Sequence, residues 1–198
     1  MAVNSEQENT VVRLWLLLRR VGDQLGACED LVYSKYGLTS EQFGVLGCIK
    51  SRGPLRPIDL ASLLERGPNS MSMLVDRMVK AGLVRRTRDK KDRRTVFVSM
   101  TDKGREAISP AALANWGFMH KLLSPLSYEE QRALADMLET VKCELVGYLN
   151  PEMDKTGIIK NSFTKDPNLY KRLVKNVLDP GYEAKRESRV KRRTVRRT

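Results

Sequence analysis

The chain is expected to be mainly α-helical, with a helix-turn-helix followed directly by a small β-hairpin. Three observations predict this. Apolar residues recur at three- and four-residue spacing through much of the first 149 residues. Two such stretches between Pro57 and Gly82 are separated by Gly67-Pro68. From Gly82 to Gly104 the pattern changes to a basic run closed on both sides by apolar residues, as a two-stranded ribbon with a charged tip requires.

The elements follow in order. Val11, Trp15, Leu18, Val21 and Leu25, widened by Leu14 and Leu17, predict a long helix from Thr10 to about Tyr36, with Gly37 as its stop. Thr39-Ser40-Glu41-Gln42 fits a capping box that opens a second helix, whose apolar face is Phe43, Leu46 and Ile49. Pro57 suits the first position of a short third helix carrying Ile58, Leu60, Ala61, Leu63 and Leu64. Asn69 is expected to cap a fourth. There Met71, Leu74, Val75, Met78 and Val79 fall on one face, opposite Ser70, Ser72, Met73, Asp76, Arg77 and Lys80. The ribbon is read as Val84 to Arg88, a tip from Asp89 to Arg94, and Thr95 to Met100. Thr101 caps a fifth helix, expected to reach about Leu123, with Pro110 kinking or breaking it unless it lies in an early turn. Ser127-Tyr128-Glu129-Glu130 forms a second capping box, and Leu134, Met137, Leu138, Val141, Leu145 and Leu149 form the stripe of the sixth helix. Beyond Asn150 the pattern weakens to one possible short helix carrying Leu169, Leu173, Val174 and Val177.

Charge narrows the function. The net charge is +12, and it is concentrated in two places. Residues 183–198 contribute +6 and the segment from Arg85 to Arg94 contributes +5. Clusters of this kind suit a polyanion, and phosphate neutralisation makes such binding salt-dependent. The tail is too poor in apolar residues to fold alone; solubility and phosphate contacts flanking a binding site are its two readings. No stretch is long and apolar enough to span a membrane, and MAVNSEQENT lacks the pattern of a secretory signal, so a cytoplasmic location is expected. Cys28, Cys48 and Cys143 are odd in number and form no CxxC pair, which excludes a disulfide framework and a zinc site from the expectation; reduced, half-buried thiols are expected instead. One histidine, His120, and no Gly-rich phosphate loop leave no catalytic constellation, no metal site and no cofactor to propose.

Three blocks carry a family resemblance: LASLL from Leu60, PNSMSMLVDRMVKAGLVRR from Pro68, and DRRTVFVSMTDKG from Asp92. With their spacing, and with Leu38-Thr39 ahead of them, the chain resembles the MarR family of winged helix-turn-helix transcriptional regulators over residues 10–149. The resemblance implies a homodimer in which the first and last helices form the dimer body. It implies a recognition helix over Asn69 to Ala81 and a wing over Val84 to Met100. The implied organisation is an N-terminal dimerisation helix (1–36), a winged helix-turn-helix DNA-binding domain (37–101), C-terminal dimerisation helices (102–149) and an extension (150–198). The implied activity is sequence-specific binding of a pseudo-palindromic operator on double-stranded DNA, with repression relieved by a small-molecule effector. Three departures stand out: Arg56-Pro57 where small polar caps are usual, Met73 where a polar or basic residue is common, and the extension itself. Two other classes stay open at this stage: a non-specific nucleic-acid-binding protein using the tail, and a protein-interaction antirepressor of the same fold.

The candidate DNA-binding residues are Ser70, Ser72, Arg77, Arg86, Arg88, Lys90, Lys91, Asp92, Arg93 and Arg94. Ser70 and Ser72 suit base edges or phosphates; Arg77 suits DNA or an intramolecular pair with equal weight. The resemblance implies that Asp92 orients Arg94 into a minor groove, for which the chemical reason is that a narrow A·T-rich groove attracts a guanidinium; a solvated turn with a weak surface ion pair is the alternative. Trp15, Tyr33, Tyr36 and Trp116 are candidates for an effector pocket between dimer body and winged domain; core or dimer packing is their alternative. Peroxide-sensing relatives carry their reactive cysteine earlier in the first helix, at a place that falls near Leu16 here, which disfavours Cys28 as a redox switch.

Overall fold

A computed structural model describes residues 5–149 apart from 65, 90, 91 and 93. The expected short helix beyond 150, the basic tail, and the candidates Lys90, Lys91 and Arg93 lie outside the described residues. The order is α1 (Ser5–Ser34), α2 (Ser40–Arg52), α3 (Pro57–Leu63), α4 (Pro68–Lys80), β1 (Val84–Arg88), β2 (Val96–Met100), α5 (Asp102–Leu123) and α6 (Tyr128–Leu149). The described residues group into two compact units that divide between Ala111 and Ala112, within α5.

Local chemistry explains the boundaries. Thr39 and Gln42 form the expected box: the Gln42 N–H donates to Thr39 Oγ1 at 3.3 Å, and Gln42 Oε1 accepts the Thr39 N–H at 3.0 Å. Ser127 and Glu130 repeat it at the start of α6. Gly37 has φ 67° and Gly82 φ 72°, the left-handed conformation that ends a helix without a Cβ clash. Three boundaries differ from expectation. The helix α1 starts earlier, at Ser5, and ends at Ser34, before Tyr36. Asn69 is not the cap of α4: Gly67 holds the extended cap position and Pro68 the first helical turn, where a missing N–H costs nothing. The helix α5 reaches Leu123 as expected, running through Pro110 well past its first turns. Pro110 is exposed, so water can reach the carbonyl that loses its donor.

The first unit has a continuous apolar core. Val45, Leu46 and Ile49 of α2 join Leu60 and Ala61 of α3, and Met71, Leu74, Val75 and Met78 of α4, all buried. Leu83, Val84, Val98, Met100 and Ile108 close it. One end of α1 is fastened to α2: Tyr33 stacks on Phe43 with centroids 4.3 Å apart, and Asp30 accepts the Ser40 N–H at 2.9 Å. Lys50 is only 5% exposed and donates to Ser109 Oγ at 2.8 Å, tying α2 to α5. The cysteines are not uniformly half-buried as expected: Cys28 is exposed, Cys48 intermediate and Cys143 buried.

The two strands pair antiparallel from Val84↔Met100 to Arg88↔Val96. The ribbon base is held on two sides. Leu55, between α2 and α3, exchanges both backbone hydrogen bonds with Val98, at 3.1 and 2.7 Å. On the other side the Thr101 hydroxyl lies 2.6 Å from the Gly82 carbonyl and 3.0 Å from that of Leu83, and it accepts the Gly104 N–H at 3.2 Å. Gly104 is buried here because nothing larger fits. A Cβ at this position would overlap the Leu83 carbonyl oxygen and come within 2.8 Å of Met100 Cγ. Gly104→Ala is therefore expected to destabilise the folded chain by about 2 kcal/mol or more, since backbone cannot yield as a side-chain end can. Denaturant unfolding with an unchanged midpoint would show that the junction has slack.

Candidate nucleic-acid interface

The helix α4 buries Met71, Leu74, Val75 and Met78 and exposes everything else it carries. At about 100° per residue, its outermost line is Asn69, Met73, Asp76 and Lys80. Ser70 and Arg77 lie on the flank toward α2. Ser72 lies on the flank toward the ribbon. The three serine and arginine candidates thus sit beside the outward line rather than on it. The periodicity that marked Met71 and its partners as core already contained this: the face opposite them passes through Asn69 and Met73.

Ion pairs brace both flanks. Glu41 of α2 reaches Arg66 at 3.3 Å and Arg77 at 3.8 Å, and Asp76 holds Arg86 of β1 at 2.8 Å. Arg77, for which two roles were open, thus has an internal partner at long range, and Arg86 is drawn against the recognition helix. Exposed pairs of this kind contribute ~0–1 kcal/mol to stability, and a phosphate can compete for the same guanidinium. Arg85 Nε donates to Ser99 Oγ at 3.3 Å across the ribbon, and Arg88 ends β1 exposed.

The tip is shaped by Asp92. Its Oδ1 accepts the Arg94 N–H at 3.0 Å and its Oδ2 accepts the Thr95 hydroxyl at 2.7 Å. Its own N–H donates to Asp89 Oδ1 at 3.0 Å, and its carbonyl accepts the Thr95 N–H at 2.9 Å. Asp92 therefore acts on the backbone of Arg94: it folds the turn that aims the side chain. Arg94 lines a shallow cleft of about 350 Å³ with Thr95, Val96, Ser72, Pro68, Ile58 and Arg56. The wing arginine and the start of the recognition helix thus open onto one space. Arg56, which sequence reasoning treated only as an unusual cap, adds charge to it. Its guanidinium grips Asp59 at 2.8 and 2.6 Å, and that hydrogen bond holds the Asp59 carboxyl below its ordinary pKa.

The aromatic candidates are spread out. Trp15 is 58% exposed on α1, whereas Tyr33 is 2% exposed against Phe43. Eighteen residues of helix separate these two by about 27 Å, too far to line one small-molecule cavity from a single chain. Tyr36 is half-buried in the turn after α1. Trp116 meets His120 edge-on at 4.3 Å. Burial pushes the Cys48 thiol above its ordinary pKa, which lowers its thiolate fraction and its reactivity. Among the described residues no His, Cys, Asp or Glu cluster could hold a metal, and no helix is long and apolar enough to cross a membrane.

Known proteins share this fold. A model of the MarR family matches residues 38–96, from just before α2 to the first residue of β2. The HTH-type transcriptional regulator PecS of Dickeya dadantii is 30% identical over 132 residues, 65% of this chain and 80% of that protein. The HTH-type transcriptional repressor MdtR of Bacillus subtilis is 32% identical over 96 residues, 48% of this chain and 62% of that one. Among solved structures, a MarR family protein from Bacillus stearothermophilus is 27% identical with a TM-score of 0.57, covering 73% of this chain and 99% of that chain. A MarR mutant from E. coli in complex with operator DNA shares the fold, with a TM-score of 0.62 at 24% identity over 67% of this chain and 96% of that chain. Fold and likeness together define a winged helix-turn-helix, DNA-binding transcriptional regulator rather than an enzyme. The chain belongs to the MarR family.

Substituting the tip separates turn from side chain. Asp92→Ala removes both acceptors yet keeps the Arg94 guanidinium, and Arg94→Ala does the reverse. Both variants are expected to fold and to bind operator-containing DNA about fivefold or more weakly at physiological salt, as loss of a groove contact of ~1–3 kcal/mol implies. Gel-shift titration of the two checks this, and full affinity in Asp92→Ala would show that the turn does not aim the arginine.

Proposed function

We propose that the protein is a cytoplasmic, homodimeric repressor that binds a pseudo-palindromic operator and leaves it on binding a small-molecule effector. The observation that carries this is the shared cleft, which sets Arg94 of the wing beside Ser72 of the recognition helix. One helix enters a major groove while the wing reaches the adjacent minor groove. Ser70, Ser72, Arg77, Arg86, Arg88, Lys90, Lys91 and Arg93 serve as backbone and base contacts around these two insertions.

Dimerisation rests on unpartnered apolar surface. Val11, Trp15, Leu18 and Val21 of α1, and Met137, Leu138, Leu145 and Leu149 of α6, are all exposed in the single chain. Two continuous stripes of this size call for a partner surface, and a second copy supplies matching ones. Repression agrees with the relative MdtR being a repressor, and follows physically if the bound dimer overlaps a promoter. Of the four aromatic candidates, Tyr36, half-buried in the turn after α1, is the one proposed to meet the effector, with Tyr33 packed on Phe43 behind it.

The reading is tested by footprinting the full-length chain on DNA flanking its own gene and by its mass in solution. A dimer protecting an inverted repeat, with half-sites about 34 Å apart, is expected. A monomer, or binding that grows with DNA length and leaves no discrete footprint, would replace this reading with non-specific binding.

A further inference from the structure

The outward line of α4 carries two residues that its ion pairs do not involve. Met73 lies at the middle of that line and is 66% exposed, against 6% or less for Met71, Leu74, Val75 and Met78 on the opposite side. Asn69 lies one turn before it, exposed, with no partner among the described residues. The neighbouring charges are engaged: Asp76 with Arg86 at 2.8 Å, and Arg77 with Glu41 at 3.8 Å. The N-terminal half of the outward line therefore presents one amide and one flexible apolar side chain.

We propose that Asn69 and Met73 read an adenine and a thymine in each operator half-site. Resting on the operator-binding reading above, this names the chemistry that sets its sequence preference. The Asn69 amide matches the N6 donor and N7 acceptor of adenine, which no other base offers together. Met73 has no hydrogen bond to give, and its partner in a major groove is the apolar C5-methyl group of thymine. A thioether with three rotatable bonds reaches and packs on such a group readily. The two residues are about 6 Å apart along the helix axis, which places their bases within about two base pairs of each other at ~3.4 Å per step. A basic residue at position 73 would instead seek phosphate or guanine, so Met73 also disfavours the guanine-led half-site that an arginine there would favour.

The test removes only the methyl group. Binding sites are first selected from random duplexes by the full-length protein, and each thymine of the selected half-site is then replaced by 2′-deoxyuridine. For the native chain, one position per half-site is expected to weaken binding by about fourfold, the value of one buried methyl-sized group. Met73→Ala, at an exposed site, folds normally; it is expected to bind the thymine duplex about fourfold or more weakly and to ignore the deoxyuridine change. Native binding insensitive to deoxyuridine at every thymine would overturn the proposal, as would a Met73→Ala protein that keeps the sensitivity. Selection of no consensus at all would instead overturn operator recognition itself, and with it this assignment.

Discussion

The Thr101 hydroxyl is the point on which the DNA-binding unit depends. It lies within hydrogen-bonding distance of the end of α4 through Gly82, the start of β1 through Leu83, and the start of α5 through Gly104. The Thr101 N–H donates to the same Leu83 carbonyl at 3.1 Å. One side chain thus sets where the recognition helix stops, where the wing begins and where the next helix starts. The hydroxyl has one proton to share between the two carbonyls, a bond that contributes only ~1 kcal/mol net; the Leu83 carbonyl keeps the Thr101 N–H, whereas a Gly82 carbonyl left without a donor costs ~1–3 kcal/mol. Gly104 lets the helix come close enough for the arrangement to form. The Leu55–Val98 bridge pins the opposite side of the ribbon, so the wing base is fixed while its tip projects.

That rigidity gives the charges their meaning. Arginines on flexible surfaces bind phosphate without regard to sequence. Here Arg86 is held by Asp76 on the recognition helix, and Arg77 by Glu41 on α2. The pairs add little stability, yet they keep positive charge on both sides of α4. Asp92 resolves an apparent conflict, a carboxylate in a segment meant for a polyanion. Both of its oxygens accept hydrogen bonds from the turn itself, so its charge is spent inside the tip.

Much of this was legible from local pattern. The period of the apolar residues, the two capping boxes and Gly82 located the helices and the ribbon, because those signals act within a few residues of the chain. Asn69 does not cap α4, although its side chain suits a cap, because Pro68 has the stronger preference for a first helical turn. The functional roles were less legible where they depend on contacts between elements. Nothing near Glu41 in sequence announces Arg77, and nothing near Asp76 announces Arg86. Arg56 joined the site only once α3, α4 and β2 were placed around one cleft. Met73 stands out in the sequence as a departure from the family pattern, and helical periodicity places Asn69 one turn before it on the same outward line.

The most direct test of this account is Thr101→Val, which keeps the shape of the side chain and deletes the hydroxyl. Hydroxyl-radical footprinting of the variant on its operator is compared with the native chain. If the hydroxyl sets the relation between helix and wing, the major-groove protections persist while those of the wing weaken or disappear. An unchanged footprint with unchanged affinity would contradict the account, because the wing would then hold its position without the Thr101 junction.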